Sequence, residues 1–164
     1  MAVSTAAAAT APSAPPQLAR VLSRAADLLA LGADQVINYK DQPEWGDAVL
    51  AATGGHGADI VVEVGGPGTL PQSIRACAPG GHIALIGVLT GMSGSVPTLE
   101  LMRKQQTLQG LIVGSREQQQ DMVRALENFS WRPVIDSRYP LEQIAEAFTH
   151  QQSAMHFGKI CLHY

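Results

Sequence analysis

The sequence predicts an α/β fold, a parallel sheet with helices on both faces. Two observations carry that expectation. From Leu28 to Gly87, helical stretches alternate with short apolar strands, and each strand runs into a turn: ALGADQVINY, then GADIVVEVGGPGTL, then APGGHIALIG. The middle strand, Ile60 to Val64, is apolar almost throughout, the pattern of a strand covered on both faces.

Each element has its own signal. The first sixteen residues, MAVSTAAAATAPSAPP, are mostly Ala, Ser, Thr and Pro without charge, and read as a disordered tail. They lack the basic start and Leu-rich run of a signal peptide and the early Arg of a transit peptide. Leu18, Val21, Ala25, Leu28 and Leu29 recur at helical spacing, and Gly32 stands where a left-handed cap ends a helix. Gln35 to Tyr39 is a short strand. Asp41, Pro43 and Glu44 open a capping box for a helix through Ala52, which Gly54 and Gly55 stop.

After Ile60 to Val64, GGPG turns the chain into a helix from Thr69 to Ala78, with Pro71 in its first turn. Pro79-Gly80-Gly81 is a tight turn into a strand from His82 to Val88. Beyond a loop at Gly91 to Ser95 come a helix from Leu99 to Gln106 and a strand from Leu108 to Val113. Ser115 caps a helix running to about Asn128, with Gln118 completing the box. The chain ends with a short strand at Val134-Ile135, an amphipathic helix from Leu141 to Gln151 and a strand from Lys159 to His163. No internal repeat interrupts this order.

At 164 residues the chain has the size of one domain with a real core. Hydrophobic residues make up 46% and charged residues 15%, and the net charge is -3, so no electrostatic case exists for nucleic acid or an anionic membrane. No stretch reaches the length of a membrane span. Cys77 and Cys161 show neither CxxC nor Cys/His ligand spacing, which fits reduced thiols in the cytoplasm.

The strings VVEVGGPGTL, GGHIALIG and HFGKICL are more specific than their elements. From about Ser23 to Leu162 the sequence resembles the medium-chain dehydrogenase/reductase superfamily, in its zinc-independent NADPH:quinone oxidoreductase-like branch. LGADQVINY resembles the entry to that family's third Rossmann strand, VEVGG the fourth strand and turn, GGHIALIG the fifth, and LQGLIVGS the sixth. RPVID, YPLEQIAEAF and HFGKICL resemble the segment returning to the catalytic domain. The resemblance implies a Rossmann-like fold lacking its first strand, turn and helix. Residues 17-130 would form a partial nucleotide-binding domain, and 131-164 the C-terminal return segment. No GxGxxG occurs, no strand is expected ahead of Leu18, and Arg20 to Arg24 reads as either helix or second strand. The family's zinc ligands fall in its catalytic domain, so no metal site is carried over.

The resemblance also implies a cofactor face for NADP. Gly65 and Gly66 match the turn after strand four that lies against the cofactor; their plain reading is a tight turn. Ile86, Gly87 and Val88, with Val113, Gly114 and Ser115, match positions walling the nicotinamide side; core packing and a helix N-cap are the plain alternatives. Tyr39 matches a tyrosine near the adenosine 2′-phosphate, with Arg24 or Lys40 as neighbouring cations. Phe157, Gly158 and Lys159 match a late cofactor-contacting string whose lysine meets phosphate. Glu63, inside an apolar strand, is either a buried acid or an acceptor for a nearby loop or helix N-terminus. The five histidines show no ligand spacing, and no catalytic residue is assigned.

Two functions follow as expectations. One is hydride transfer from NADPH to a quinone or enone acceptor, by a chain representing the cofactor-binding part of such a reductase. The other is a non-catalytic Rossmann-like dimerisation or binding module. Without a glycine-rich turn, NADPH binding is expected to be weak. An open edge along IVVEV implies a homodimer or higher self-association. The family's dimer contacts match Ser93 to Pro97 and Leu108 to Val113. The strand Ile160 to Leu162 should find a new partner or fray.

Overall fold

A computed structural model describes residues 3-4, 24-129 and 132-164. The described residues form two compact units, one ending at Ile112 and one beginning at Val113.

The first unit is a four-stranded parallel sheet in the order β1-β2-β3-β4, with β1 at Val3–Ser4, β2 at Ala58–Glu63, β3 at Cys77–Leu85 and β4 at Thr107–Gly110. The parallel α/β class is as the alternation predicted. Helix α1 covers 24-30 and ends as Gly32 indicated. Ala33 N–H reaches Leu28 O at 3.1 Å and Gly32 N–H reaches Leu29 O at 3.0 Å, with Gly32 at φ +100°. Of the expected helix from Leu18 to Leu31 and the competing strand from Arg20 to Arg24, the part before residue 24 lies outside the described residues, and Arg24 is helical.

Helices α2 (Trp45–Ala52) and α3 (Leu70–Ala76) pack on each other and over one face of the sheet. The core joins Trp45 and Val49 of α2 to Leu70 and Ile74 of α3, over Val61 and Ile83 of the strands. Helix α4 (Thr98–Arg103) sends Leu101 against the edge of that core. The carbonyls at the end of α3 are met by cationic and amide donors: Lys104 Nζ reaches Arg75 O at 2.7 Å, and Gln106 Nε2 reaches Ile74 O at 3.0 Å.

Several local expectations are corrected. Val3 and Ser4 are not tail: they pair in parallel with Val61 and Val62, because an open strand edge offers unpaired N–H and C=O groups to any extended segment in reach. The IVVEV edge is therefore partly covered, and a strand does precede position 18. The rest of residues 1-16 lies outside the described residues. Gln35 to Tyr39 is not a strand; Ile37 and Tyr39 pack on the core from irregular backbone. Asp41 does not cap α2. It accepts from Asn38 Nδ2 at 2.7 Å, and α2 starts at Trp45 with Glu44 as its N-cap.

Strand β3 begins at Cys77 and takes Pro79-Gly80-Gly81 into the ladder as a bulge, with Ala58 opposite Cys77 but Ile60 opposite His82. It ends at Leu85, and β4 ends at Gly110, so Ile86 to Val88 and Leu111 to Val113 are not strand. Nor is β2 covered on both faces. Val61 and Glu63 are buried, while Ile60 and Val62 are 59% and 41% exposed.

The second unit is a βαβ arrangement after helix α5 (Arg116–Glu127). Strand β5 (Ile135–Pro140) pairs in parallel with β6 (Lys159–His163), and α6 (Ile144–Gln152) lies over both. The terminal strand thus has a partner, and β5 starts at Ile135 and extends well beyond the predicted Val134-Ile135. A short 3₁₀ turn, Leu141–Gln143, opens the predicted C-terminal helix.

Candidate functional site

In the first unit the site is built at the carboxyl ends of β2 and β3, where parallel sheets offer backbone to ligands. Glu63, the last residue of β2, is 1% exposed. Its Oε1 accepts from Gly65 N–H at 2.7 Å, Gly66 N–H at 2.8 Å and the Thr69 hydroxyl at 2.6 Å, and its Oε2 accepts from the Ser73 hydroxyl. Of the two readings of Glu63, the acceptor for a loop and a helix N-terminus is what the structure shows. Four donors converge on one carboxylate, and together they fix the turn and the first two turns of α3.

The segment after β3 is laced to that turn. Ile86 and Gly87 donate N–H groups to Glu63 O at 2.9 and 3.1 Å. Thr90 donates to Gly65 O from its N–H and from its hydroxyl, each at 2.8 Å, and its hydroxyl accepts Gly68 N–H at 2.7 Å. A Cβ on Gly87 would lie 1.8 Å from Val64 O, so only glycine lets these backbones meet. Gly66, at φ +87°, faces Gly87 and Val88 in the same way. Gly65, Gly66, Ile86, Gly87 and Val88 therefore come together on one rigid platform. Ile86 and Val88 are 47% and 53% exposed, which removes the core-packing reading for both.

Tyr39 is half-buried against the core, and Lys40 is exposed, its N–H bonded to Asn38 Oδ1. Arg24 lies in α1. Cys77 is fully buried, and that burial pushes its thiol pKa up, so it is no nucleophile.

The other candidates belong to the second unit. Val113 is exposed and Gly114 follows it. Ser115 is a helix N-cap, as its spacing predicted: Gln118 N–H reaches Ser115 Oγ at 3.2 Å, and Gln118 Oε1 accepts Ser115 N–H at 2.8 Å. Ser115→Ala should cost that helix about 1 kcal/mol. Faster amide exchange confined to the first turn of α5 would show it; unchanged exchange there would remove the cap's role. Phe157 donates its N–H to Asp136 Oδ1 at 2.8 Å, and Lys159 donates its N–H to Val134 O at 2.8 Å. Gly158, at φ +100°, would place a Cβ 2.4 Å from Val134 O.

Sequence reading missed Thr90, Ser73 and the Asp136–His150 pair. Thr90 stands 25 residues from the Gly65 carbonyl it bonds, so no local pattern marks it.

With this geometry in place, comparison with known proteins is decisive. The zinc-binding dehydrogenase family matches residues 1–130. The chain belongs to that family. It is the C-terminal nucleotide-binding part of a medium-chain dehydrogenase/reductase, as the quoted strings implied. A zinc-type alcohol dehydrogenase-like protein of Schizosaccharomyces pombe is 39% identical over 80% of this chain and 39% of its own length. A quinone oxidoreductase of Lama guanicoe is 28% identical over 82% of this chain and 42% of its own. A solved candidate alcohol dehydrogenase from Sinorhizobium meliloti 1021 superposes with a TM-score of 0.76 at 37% identity, covering 93% of this chain and 42% of that one. The chain thus spans about two fifths of the length of these relatives.

The family's description implies zinc. Among the described residues, no three His, Cys, Asp or Glu side chains converge as a metal ligand set. These residues do not fit a zinc ion, and no step is assigned to one. Among them, too, no helix is long and apolar enough to cross a membrane.

Proposed function

We propose that this chain carries the cofactor face of an NADPH-dependent oxidoreductase acting on a quinone or enone acceptor. The observation that carries the reading is the laced platform at the ends of β2 and β3, with Gly65 and Gly66 buried in its turn and two exposed aliphatic side chains on its surface. Relatives named as quinone oxidoreductase and alcohol dehydrogenase support it.

NADPH supplies hydride chemistry when bound, and the chain's residues hold and shield it. Gly65 and Gly66, buried and bonded to Glu63, hold the turn on which the cofactor would rest. Ile86 and Val88 offer an apolar surface that keeps water from the nicotinamide. Tyr39 matches a tyrosine near the adenosine 2′-phosphate, and in the second unit Lys159 offers its ammonium to a phosphate, with Ser115 and its helix N-terminus a further anion contact. Val113, Gly114, Phe157 and Gly158, also in the second unit, match cofactor positions by resemblance alone. No side chain is assigned a proton-transfer role.

Nuclear magnetic resonance titration of the 164-residue chain with NADPH tests this. Shifts should concentrate at the amides of Gly65, Gly66 and Ile86 to Val88, and NADH should produce smaller ones. Scattered shifts, or none at millimolar NADPH, would refute the reading. Affinity should be weaker than micromolar, because the sequence contains no GxGxxG turn to supply pyrophosphate donors. Micromolar or tighter binding by calorimetry would overturn that expectation. We further propose a homodimer through Ser93 to Pro97 and Leu108 to Val113, to be read by light scattering. The free thiols Cys77 and Cys161 suit a reducing cytoplasm.

A further inference from the structure

The Phe157–Gly158–Lys159 turn is anchored at three points. Two are backbone: Lys159 N–H on Val134 O, and Gly158 fitted against the same peptide. The third is a side chain, the carboxylate of Asp136 on β5, which accepts Phe157 N–H at 2.8 Å. Behind it sits a polar cluster. His150 Nε2 of α6 lies 3.7 Å from Asp136 Oδ2, and its Nδ1 lies 3.0 Å from the Tyr139 hydroxyl and 3.4 Å from the Ser137 hydroxyl. The His156 ring meets His150 edge-on, with centroids 6.0 Å apart. The side chains of His150 and Asp136 are only 25% and 22% exposed, so this cluster is not a solvated surface pair.

For neutral His150 the contacts fit one proton arrangement: Nε2–H faces Asp136, and Nδ1 accepts from Tyr139. A protonated His150 keeps its Asp136 contact, with the Tyr139 hydroxyl turned to accept. In both states Asp136 faces a donor on each oxygen.

We propose that Asp136 is a positioning residue: its carboxylate holds the Phe157 amide and so fixes the turn that presents Lys159. The inference rests on the reading of Lys159 as a phosphate contact, which is tested separately below. The Asp136 carboxyl is held below the usual range, first by the Phe157 N–H and then by Ser137, His150 and His156. A depressed folded value means the anchor is present above the ordinary aspartate pKa and is lost as pH falls through the folded one.

The test is amide hydrogen exchange and NADPH titration on the full chain. Asp136→Ala should speed exchange at Phe157 and Gly158 about tenfold, with the amides of β2 and β3 unchanged. Asp136→Asn keeps an acceptor oxygen and should restore most of the protection. Unchanged exchange at Phe157 in Asp136→Ala, or no rescue by Asn, would overturn the proposal. Lys159→Ala should weaken NADPH binding while leaving Phe157 protected. If it leaves binding unchanged while Asp136→Ala still frees the turn, the phosphate reading falls and the positioning role stands.

Discussion

Glu63→Leu should cost about 4 kcal/mol, a loss large enough to unfold a marginal domain. Leucine nearly matches the side chain in size but accepts nothing. The N–H groups of Gly65 and Gly66 and the hydroxyls of Thr69 and Ser73 would all lose the carboxylate they share. These donors sit around a residue only 1% exposed, so water cannot replace it without opening the turn. Glu63→Gln separates shape from hydrogen bonding. Its Oε1 can keep three of the donors, and its amide nitrogen faces Ser73, whose hydroxyl can rotate to accept. Denaturant unfolding should therefore place Gln within about 2 kcal/mol of wild type and Leu well below both. Equal losses for the two would show that Glu63 matters only as volume.

Gly87→Ala should cost about 3 kcal/mol by a different route. The added Cβ falls 1.8 Å from Val64 O and 2.4 Å from Val64 C, and both are backbone atoms that cannot swing aside. Relief requires the segment after β3 to move off the β2 turn. That motion breaks the Ile86 and Gly87 bonds to Glu63 O and separates Val88 from Gly66. The thermal midpoint should drop, and NADPH-induced shifts should vanish at Gly65 and Gly66 even where the chain stays folded. Gly110→Ala is the control, since a Cβ there meets nothing within 4 Å. A Gly87→Ala chain with unchanged stability and unchanged shifts would remove the platform as an explanation.

Where local chemistry is sufficient, the elements were legible in the sequence. The Ser115–Gln118 box, the Gly32 cap and Pro71 in the first turn of α3 need only their neighbours in the chain. The errors share one cause. Asp41 has the right spacing for a cap, yet its carboxylate finds Asn38 closer at hand. Gln35 to Tyr39 has a strand's composition but no ladder to join in the described sheet, so side-chain packing of Ile37 and Tyr39 places it instead. Ile60 and Val62 look as buried as Val61, but burial depends on what lies over each face, and helices α2 and α3 lie on only one.

The same division runs through the site. The sequence by itself determined the parallel α/β class, the family through VVEVGGPGTL and HFGKICL, and the glycine turn at Gly65 and Gly66. Local patterns could also flag Glu63 as a carboxylate out of place. Only the tertiary structure decided what Glu63 does, because its four donors come from a turn and a helix that fold back on it. It alone joined Thr90 to Gly65 and Asp136 to Phe157, pairs 25 and 21 residues apart. Hydrogen bonds of that span are set by how strands and turns pack, and no periodicity along the chain records them.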